Sequence, residues 1–190
     1  MIDEVVAALR RGELVIVPTD TVYGVAADPN VPGAIERLCR AKHRPDNKPI
    51  PLLAADCRQV EACQVELGPI GRALAARYWP GALTMVLKTG NTWEGFRVPD
   101  HPATQAVLRA FGGVLRVTSA NLSAEAPALT AEAAVKALGT AVSLVLDAGR
   151  APGGVPSTVI KIEQGQYQVL REGAIKSAEI AAAAGSYEQA

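Results

Sequence analysis

An excess of charge of one sign is the first thing missing from this sequence. Lys plus Arg and Asp plus Glu both come to 19, a formal net charge of zero. No global field therefore draws the chain toward nucleic acid or a membrane surface. Long apolar runs are missing too, since no stretch approaches the ~18 residues of a membrane span. The opening segment, MIDEVVAALRRGE, reads as an amphipathic helix with early acids, not as a basic leader before an apolar stretch. A cytoplasmic protein with no membrane partner is the expectation. Cys39, Cys57 and Cys63 are an odd number without CxxC spacing, which favours reduced thiols over a disulfide framework or metal knuckle. The two histidines, His43 and His101, lack ligand spacing to another His or Cys, so no protein-held metal is expected. Neither GxxxxGK(S/T) nor GxGxxG occurs, so the common nucleotide cradles are absent. Ser119 follows an apolar run, but its context is TSAN rather than GxSxG, which argues against a hydrolase nucleophile elbow.

At 190 residues the chain suits one domain, spanning 1–190, with a full core and a frayed last ten residues. Aromatics make up 4% of it, and alanine-rich helical stretches alternate with Val/Leu/Ile runs, the pattern of an α/β fold. Helices are predicted over about 3–11, 34–41, 69–78, 102–111, 131–138 and 177–184, with a short one starting near Asp56. Strands are predicted over 14–17, 22–27, 50–54, 82–87, 96–99, 114–117, 143–146, 158–162 and 167–170. Lys88 to Gly95 reads as loop, and so does the Gly/Pro-rich stretch from Asp147 to Ser157.

The most informative stretch runs from Pro18 to Leu53. An apolar strand ends at a proline and delivers Thr19, Asp20 and Thr21; a second strand and a helix then run out into Lys42-His43-Arg44-Pro45-Asp46-Asn47-Lys48-Pro49. Between Arg37 and Lys48 stand five Lys or Arg residues and one acid, Asp46. Prolines after Arg44 and Lys48 keep those residues out of the α region, so the cations sit on a stiff, extended loop suited to an anion. A second polar cluster, Ser119-Ala120-Asn121, lies at the end of a later strand. An open α/β sheet gathers such ends where its ligands bind. Lys and Arg offer charge and bidentate donors to phosphate oxygens, while Ser and Asn offer neutral hydrogen bonds that orient a ligand. Taken alone, the basic loop reads equally as a solvated face.

The blocks PTDTVYGVAADP, AKHRPDNKP, YWPGALTMVL, RVPDHP, TSANLS, PSTVI and VLREGAI stand in that order between about Leu14 and Ile175. In sequence and order they resemble the YrdC/Sua5 family, whose Lys-x-Arg and Ser-x-Asn signature falls here on Lys42, Arg44, Ser119 and Asn121. The resemblance implies a twisted, mixed, open α/β sheet with helices on its faces around a basic concave cavity. It also implies a reaction in which L-threonine, bicarbonate and ATP give L-threonylcarbamoyl-adenylate and pyrophosphate. The product would serve the t6A transferase machinery that modifies tRNA, with tRNA or RNA contact as a further implication. By the same resemblance, Arg44 and Lys48 would hold the triphosphate, with Lys42 adding positive potential. Ser119 and Asn121 would bind the nucleotide, and Arg171 would close over it. Thr21 and Ser157 would contact threonine, whose carboxylate would pair with Arg97. Magnesium would arrive with ATP, because no carboxylate cluster forms a cage.

Each residue also has an ordinary reading. Thr21 suits a turn, Asn121 an Asx-turn or helix cap, Ser157 a backbone partner, and Arg97 and Arg171 a solvated surface. Three positions depart from the family pattern. Leu53 stands where many members carry a histidine that helps hold threonine. Ala124 replaces a glycine that would permit positive φ, and Arg116 stands where an apolar or small residue is usual. No second domain of the Sua5 kind is expected. Two other functions compete with the main one: a carbamoyl-adenylate-forming enzyme related to hydrogenase maturation, and a non-catalytic RNA-binding module.

Overall fold

The computed structural model describes residues 1–45 and 48–185. Asp46 and Asn47 of the basic loop lie outside the described residues, as do residues 186–190, part of the last ten expected to fray. The elements are α1 (Ile2–Arg10), β1 (Val15–Val17), β2 (Gly24–Ala27), α2 (Ala34–Ala41), β3 (Leu52–Leu53), α3 (Cys57–Glu61) and α4 (Gly68–Tyr78). They continue with β4 (Leu83–Thr89), β5 (Thr92–Arg97), α5 (Pro102–Phe111), β6 (Leu115–Ser119), α6 (Ala131–Leu138), β7 (Leu144–Val145), β8 (Thr158–Glu163), β9 (Gln166–Arg171) and α7 (Ser177–Gly185).

Helices start and stop where local chemistry dictates. Thr130 caps α6 by accepting from the Ala133 amide at 3.2 Å, and Asp56 does the same for α3 at 3.0 Å from Gln59. Proline opens α5, and Gly112 at φ +76° closes it. Lys88 to Gly95, read as loop, is instead a hairpin: β4 runs on to Thr89 and β5 returns from Thr92, with Thr89 opposite Thr92. The two residues between are Gly90, at φ +55°, and Asn91, a hairpin turn signal hidden by the polar flanks Lys88, Thr92 and Glu94.

The nine strands form one mixed sheet in the order β7-β1-β2-β6-β3-β5-β4-β8-β9. β1 with β7, β3 with β5 and β4 with β8 are parallel, and the remaining neighbours are antiparallel. Residues of β1 alternate between two apolar clusters, as its two-residue side-chain period requires. Ile16 packs with Leu38 of α2 and Leu138 of α6, while Val15 and Val17 pack with Leu9 of α1 and Leu108 of α5. A third cluster gathers Leu74, Leu83, Met85, Phe96 and Ile180 around α4, α7 and the β4–β5 ladder. Full burial of one such side chain as Phe96 contributes about 1.5–3 kcal/mol. Among the described residues, no helix is long and apolar enough to cross a membrane.

Candidate functional site

After β1 the chain turns tightly. The Thr19 hydroxyl accepts from the amides of Thr21 and Val22, each at 3.2 Å, and donates to the Val22 carbonyl at 2.6 Å. The short polar side chain thereby satisfies backbone that no strand pairs. This turn holds Asp20 and Thr21 toward the last residue of β5, Arg97. The Arg97 guanidinium is almost wholly buried, and its nitrogens reach three partners. Nε donates to the Gly81 carbonyl at 2.9 Å, Nη1 to the Thr21 hydroxyl at 3.1 Å, and Nη2 to the Asp20 carboxylate at 2.6 Å.

The last residue of β9 brings a second guanidinium. Arg171 Nη2 donates to the Ser157 carbonyl at 2.8 Å, and the Ser157 hydroxyl pairs with that of Thr84 at 2.8 Å. Burial, and next the nearby charge of Arg97, push Arg171 below its ordinary value. Arg171 is exposed at the surface while Arg97 is buried, and the charge of Arg97 is felt at Arg171. The Gly/Pro stretch packs closely against the Thr21 turn and the segment after β9. A Cβ at Gly153 would stand 2.0 Å from the Thr21 carbonyl, and one at Gly173 would stand 2.2 Å from the Pro156 carbonyl. Only bare backbone fits at either contact.

The basic loop and the Ser-x-Asn turn form a second cluster. Lys42, 2% exposed, donates its ammonium to the backbone carbonyls of Ser119 and Asn121, while its own carbonyl accepts from the Ser123 amide at 2.8 Å. Burial first, and then the adjacent charge of Arg44, bring its pKa down to about 8. The Asn121 amide nitrogen donates to the carbonyls of Leu122 and Glu125 at 2.8 and 2.9 Å, and its Oδ1 is buried without a partner. Arg44 Nη2 donates to the Pro49 carbonyl at 2.8 Å, and Nε is likewise buried and unpartnered. The Ala120 amide donates to the Tyr23 carbonyl at 2.8 Å, so the Thr19–Tyr23 turn touches both clusters.

The structure thus brings together Lys42 with Ser119 and Asn121, Arg97 with Thr21, and Arg171 with Ser157. Lys48 is exposed and, among the described residues, has none of these contacts. Lys42 turns its ammonium onto backbone carbonyls, which gives it a structural task the sequence did not indicate. Asp20 and Thr84 were not singled out from sequence, although Asp20 between two threonines after a buried strand was a usable signal. Leu53 is 3% exposed and packs with Val17, Leu108 and Leu115, filling an apolar cluster. Among the described residues no three His, Cys, Asp or Glu side chains are grouped to hold a metal ion.

Ala124 does adopt the left-handed conformation, at φ +72°. That conformation costs a non-glycine residue about 1–2 kcal/mol, while a glycine loses about 0.5–1 kcal/mol more chain entropy on folding. Ala124→Gly should therefore stabilise by about 0.5–1 kcal/mol, a rise of roughly 1–4 °C in Tm by calorimetry. An unchanged or lower Tm would show that the turn imposes no strain on alanine.

Two guanidiniums bonded to the Thr21 and Ser157 hydroxyls, beside a lysine-pinned turn with an unpaired amide oxygen, make a donor set of the kind α/β proteins use for anions and small polar molecules. The Sua5/YciO/YrdC family model, described as telomere recombination, matches residues 7–173. The chain belongs to that family. It is 37% identical over 175 residues to the threonylcarbamoyl-AMP synthase of Chromohalobacter salexigens, covering 87% of this chain and 94% of that one. It is 32% identical to the Bacillus subtilis threonylcarbamoyl-AMP synthase, covering 97% of this chain and 56% of the relative. Among solved structures, P. abyssi Sua5 complexed with L-threonine superposes with a TM-score of 0.88 at 28% identity, over 96% of this chain. This chain spans 56% of that Sua5 chain. E. coli YciO superposes with a TM-score of 0.83 at 26% identity, over 94% of this chain and 92% of that one.

Proposed function

We propose that this chain is a threonylcarbamoyl-AMP synthase, working in the cytoplasm as a single domain spanning 1–190. The observation that carries the reading is the Arg97–Arg171 pair over the Thr21 and Ser157 hydroxyls. It offers an amino acid such as L-threonine a cationic seat for its carboxylate and neutral partners for its polar groups. The reading is supported by the likeness to Sua5 complexed with L-threonine and by relatives named threonylcarbamoyl-AMP synthase.

The threonine amine and bicarbonate condense to a carbamate with loss of water. A carbamate oxygen attacks the α-phosphorus of ATP, and the bond to the β-phosphate oxygen breaks to release pyrophosphate. Such a displacement calls for alignment and charge neutralisation more than for a side-chain nucleophile. Arg44 and Lys48 hold the triphosphate, whose magnesium arrives with the nucleotide. Asn121 Oδ1 accepts from the nucleotide, and Ser119 adds a hydroxyl. Lys42 keeps both residues in place and adds positive potential. Arg171 closes over the bound nucleotide, and a basic cavity limits water, which would hydrolyse the carbamate and the mixed anhydride. The product passes to the transferase machinery that forms t6A in tRNA.

Pyrophosphate release should need ATP, Mg²⁺, threonine and bicarbonate together, and the product should have the mass of threonylcarbamoyl-adenylate. Arg44→Ala should lose on the order of 100-fold or more in that turnover, the scale of a lost transition-state cation, with an unchanged circular dichroism spectrum. Wild-type turnover in this variant would remove Arg44 from the site. Release that depends on carbamoyl phosphate instead of threonine and bicarbonate would favour the hydrogenase-maturation type of chemistry. RNA binding without ATP turnover would overturn both.

A further inference from the structure

We propose that Arg116 is a positioning residue that fixes where the basic loop presents its cations, a reading that rests on that loop holding the triphosphate. The loop returns to the sheet through Pro49-Ile50-Pro51, and the two prolines supply no N–H to pair with a neighbouring strand. Carbonyls are the main handles left, and all three are taken. Arg44 Nη2 donates to Pro49 at 2.8 Å, Arg116 Nη1 to Ile50, and the Val117 amide to Pro51 at 3.1 Å. Two of the three donors belong to β6, the strand whose far end, Ser119, accepts from Lys42 at the loop's entrance.

The Arg116 guanidinium is itself held in place. It makes a two-point pair with Glu94, Nη1 to Oε2 at 2.6 Å and Nη2 to Oε1 at 2.7 Å. The pair reaches over β3: Arg116 stands opposite Leu52, and Leu52 stands opposite Phe96 on the strand that carries Glu94. Side-chain exposures of 20% and 24% leave the pair partly screened, so its value lies in fixed geometry more than in net attraction. Arg44 and Arg116 hold adjacent carbonyls, so a shift of Ile50 moves Pro49, and with it the Arg44 fork and neighbouring Lys48. Arg116 acts at one remove, through the loop, and touches no phosphate.

The test uses Arg116→Met, Arg116→Lys and Glu94→Gln in the full chain, with melting curves to confirm folding. Arg116→Met should raise the KM for MgATP about tenfold while leaving the KM for threonine within about twofold. Arg116→Lys, which keeps a donor for the Ile50 carbonyl, should recover much of the loss, and Glu94→Gln should fall between. Equal changes in both KM values, or none, would overturn the proposal. Calorimetric binding of inorganic tripolyphosphate separates this from failure of the functional reading, because it needs no turnover. Arg116→Met should weaken that binding about tenfold even if no adenylate forms. Equal binding by wild type and variant, or no binding by wild type, would refute the positioning role.

Discussion

Lys42→Met should lose on the order of 100-fold in turnover and about 2–4 kcal/mol in stability. The side chain is 2% exposed, and its ammonium is a donor to the carbonyls of both Ser119 and Asn121. Methionine fills the volume but leaves two buried carbonyls unpaired, at about 1–3 kcal/mol each, partly offset by no longer burying a charge. Turnover falls because Asn121 Oδ1 and the Ser119 hydroxyl stand on the turn that the ammonium holds. Lys42→Arg should not rescue it, since a planar fork does not fit a space shaped for a compact ammonium. The pH dependence has a defined sign. With its pKa lowered to about 8 from the usual 10.5, Lys42 gives up its proton in the folded chain before the unfolded one does. Between those values the unfolded state binds more protons, so this group makes stability rise with pH, and below about 8 its burial penalty is complete. Urea melts at pH 7.5 and pH 9.5 should show that rise in the wild type and lack it in Lys42→Met. The same difference in both proteins would assign the rise to another group.

Arg97→Met is expected to damage the protein more. Removing the guanidinium leaves the Asp20 carboxylate, 15% exposed, without its cation, and strips the Thr21 hydroxyl and Gly81 carbonyl of a donor. Breaking a buried pair from one side costs about 3–5 kcal/mol, and roughly 10 °C or more in Tm for a chain of this size. Threonine dependence should disappear as well, with the KM rising on the order of 30-fold or beyond saturation. Arg97→Met combined with Asp20→Asn separates the two effects. Neutralising the stranded carboxylate should return at least half of the lost stability, while the threonine KM stays high. Recovery of both in the double variant would make Arg97 a structural residue only.

Helices 34–41, 102–111 and 131–138 were legible to the residue, because apolar spacing, prolines, caps and a stopping glycine are all local. The α/β class followed from the alternation of those helices with β-branched runs, whereas the mixed sheet was implied by the resemblance to the family. The hairpin of β4 and β5 was not legible, because its outer residues face water and break the alternation of a half-buried strand. In the candidate site, sequence picked out chemical types but not who holds whom. Arg97 and Asp20 are 77 residues apart, and only the meeting of β5 with the turn after β1 pairs them. Lys42 looked like one more cation of a basic loop, and its burial depends on β6 ending directly beside it. Glu94 and Arg116, 22 residues apart on strands that do not touch, meet only across the short β3.

That short strand has a mechanical consequence. β3 is two residues long, yet among the described residues it is the strand that joins the flank of β7, β1, β2 and β6 to the flank of β5, β4, β8 and β9. At this waist the backbone ladder is thin, and two arginine stitches reinforce it: Arg116 to Glu94, and Arg97 to Asp20 and Thr21. An anion that recruits Arg97 draws on the same stitch that keeps the flanks together. In the proposed reading, the contacts that would seat a ligand and those that resist tearing are therefore the same.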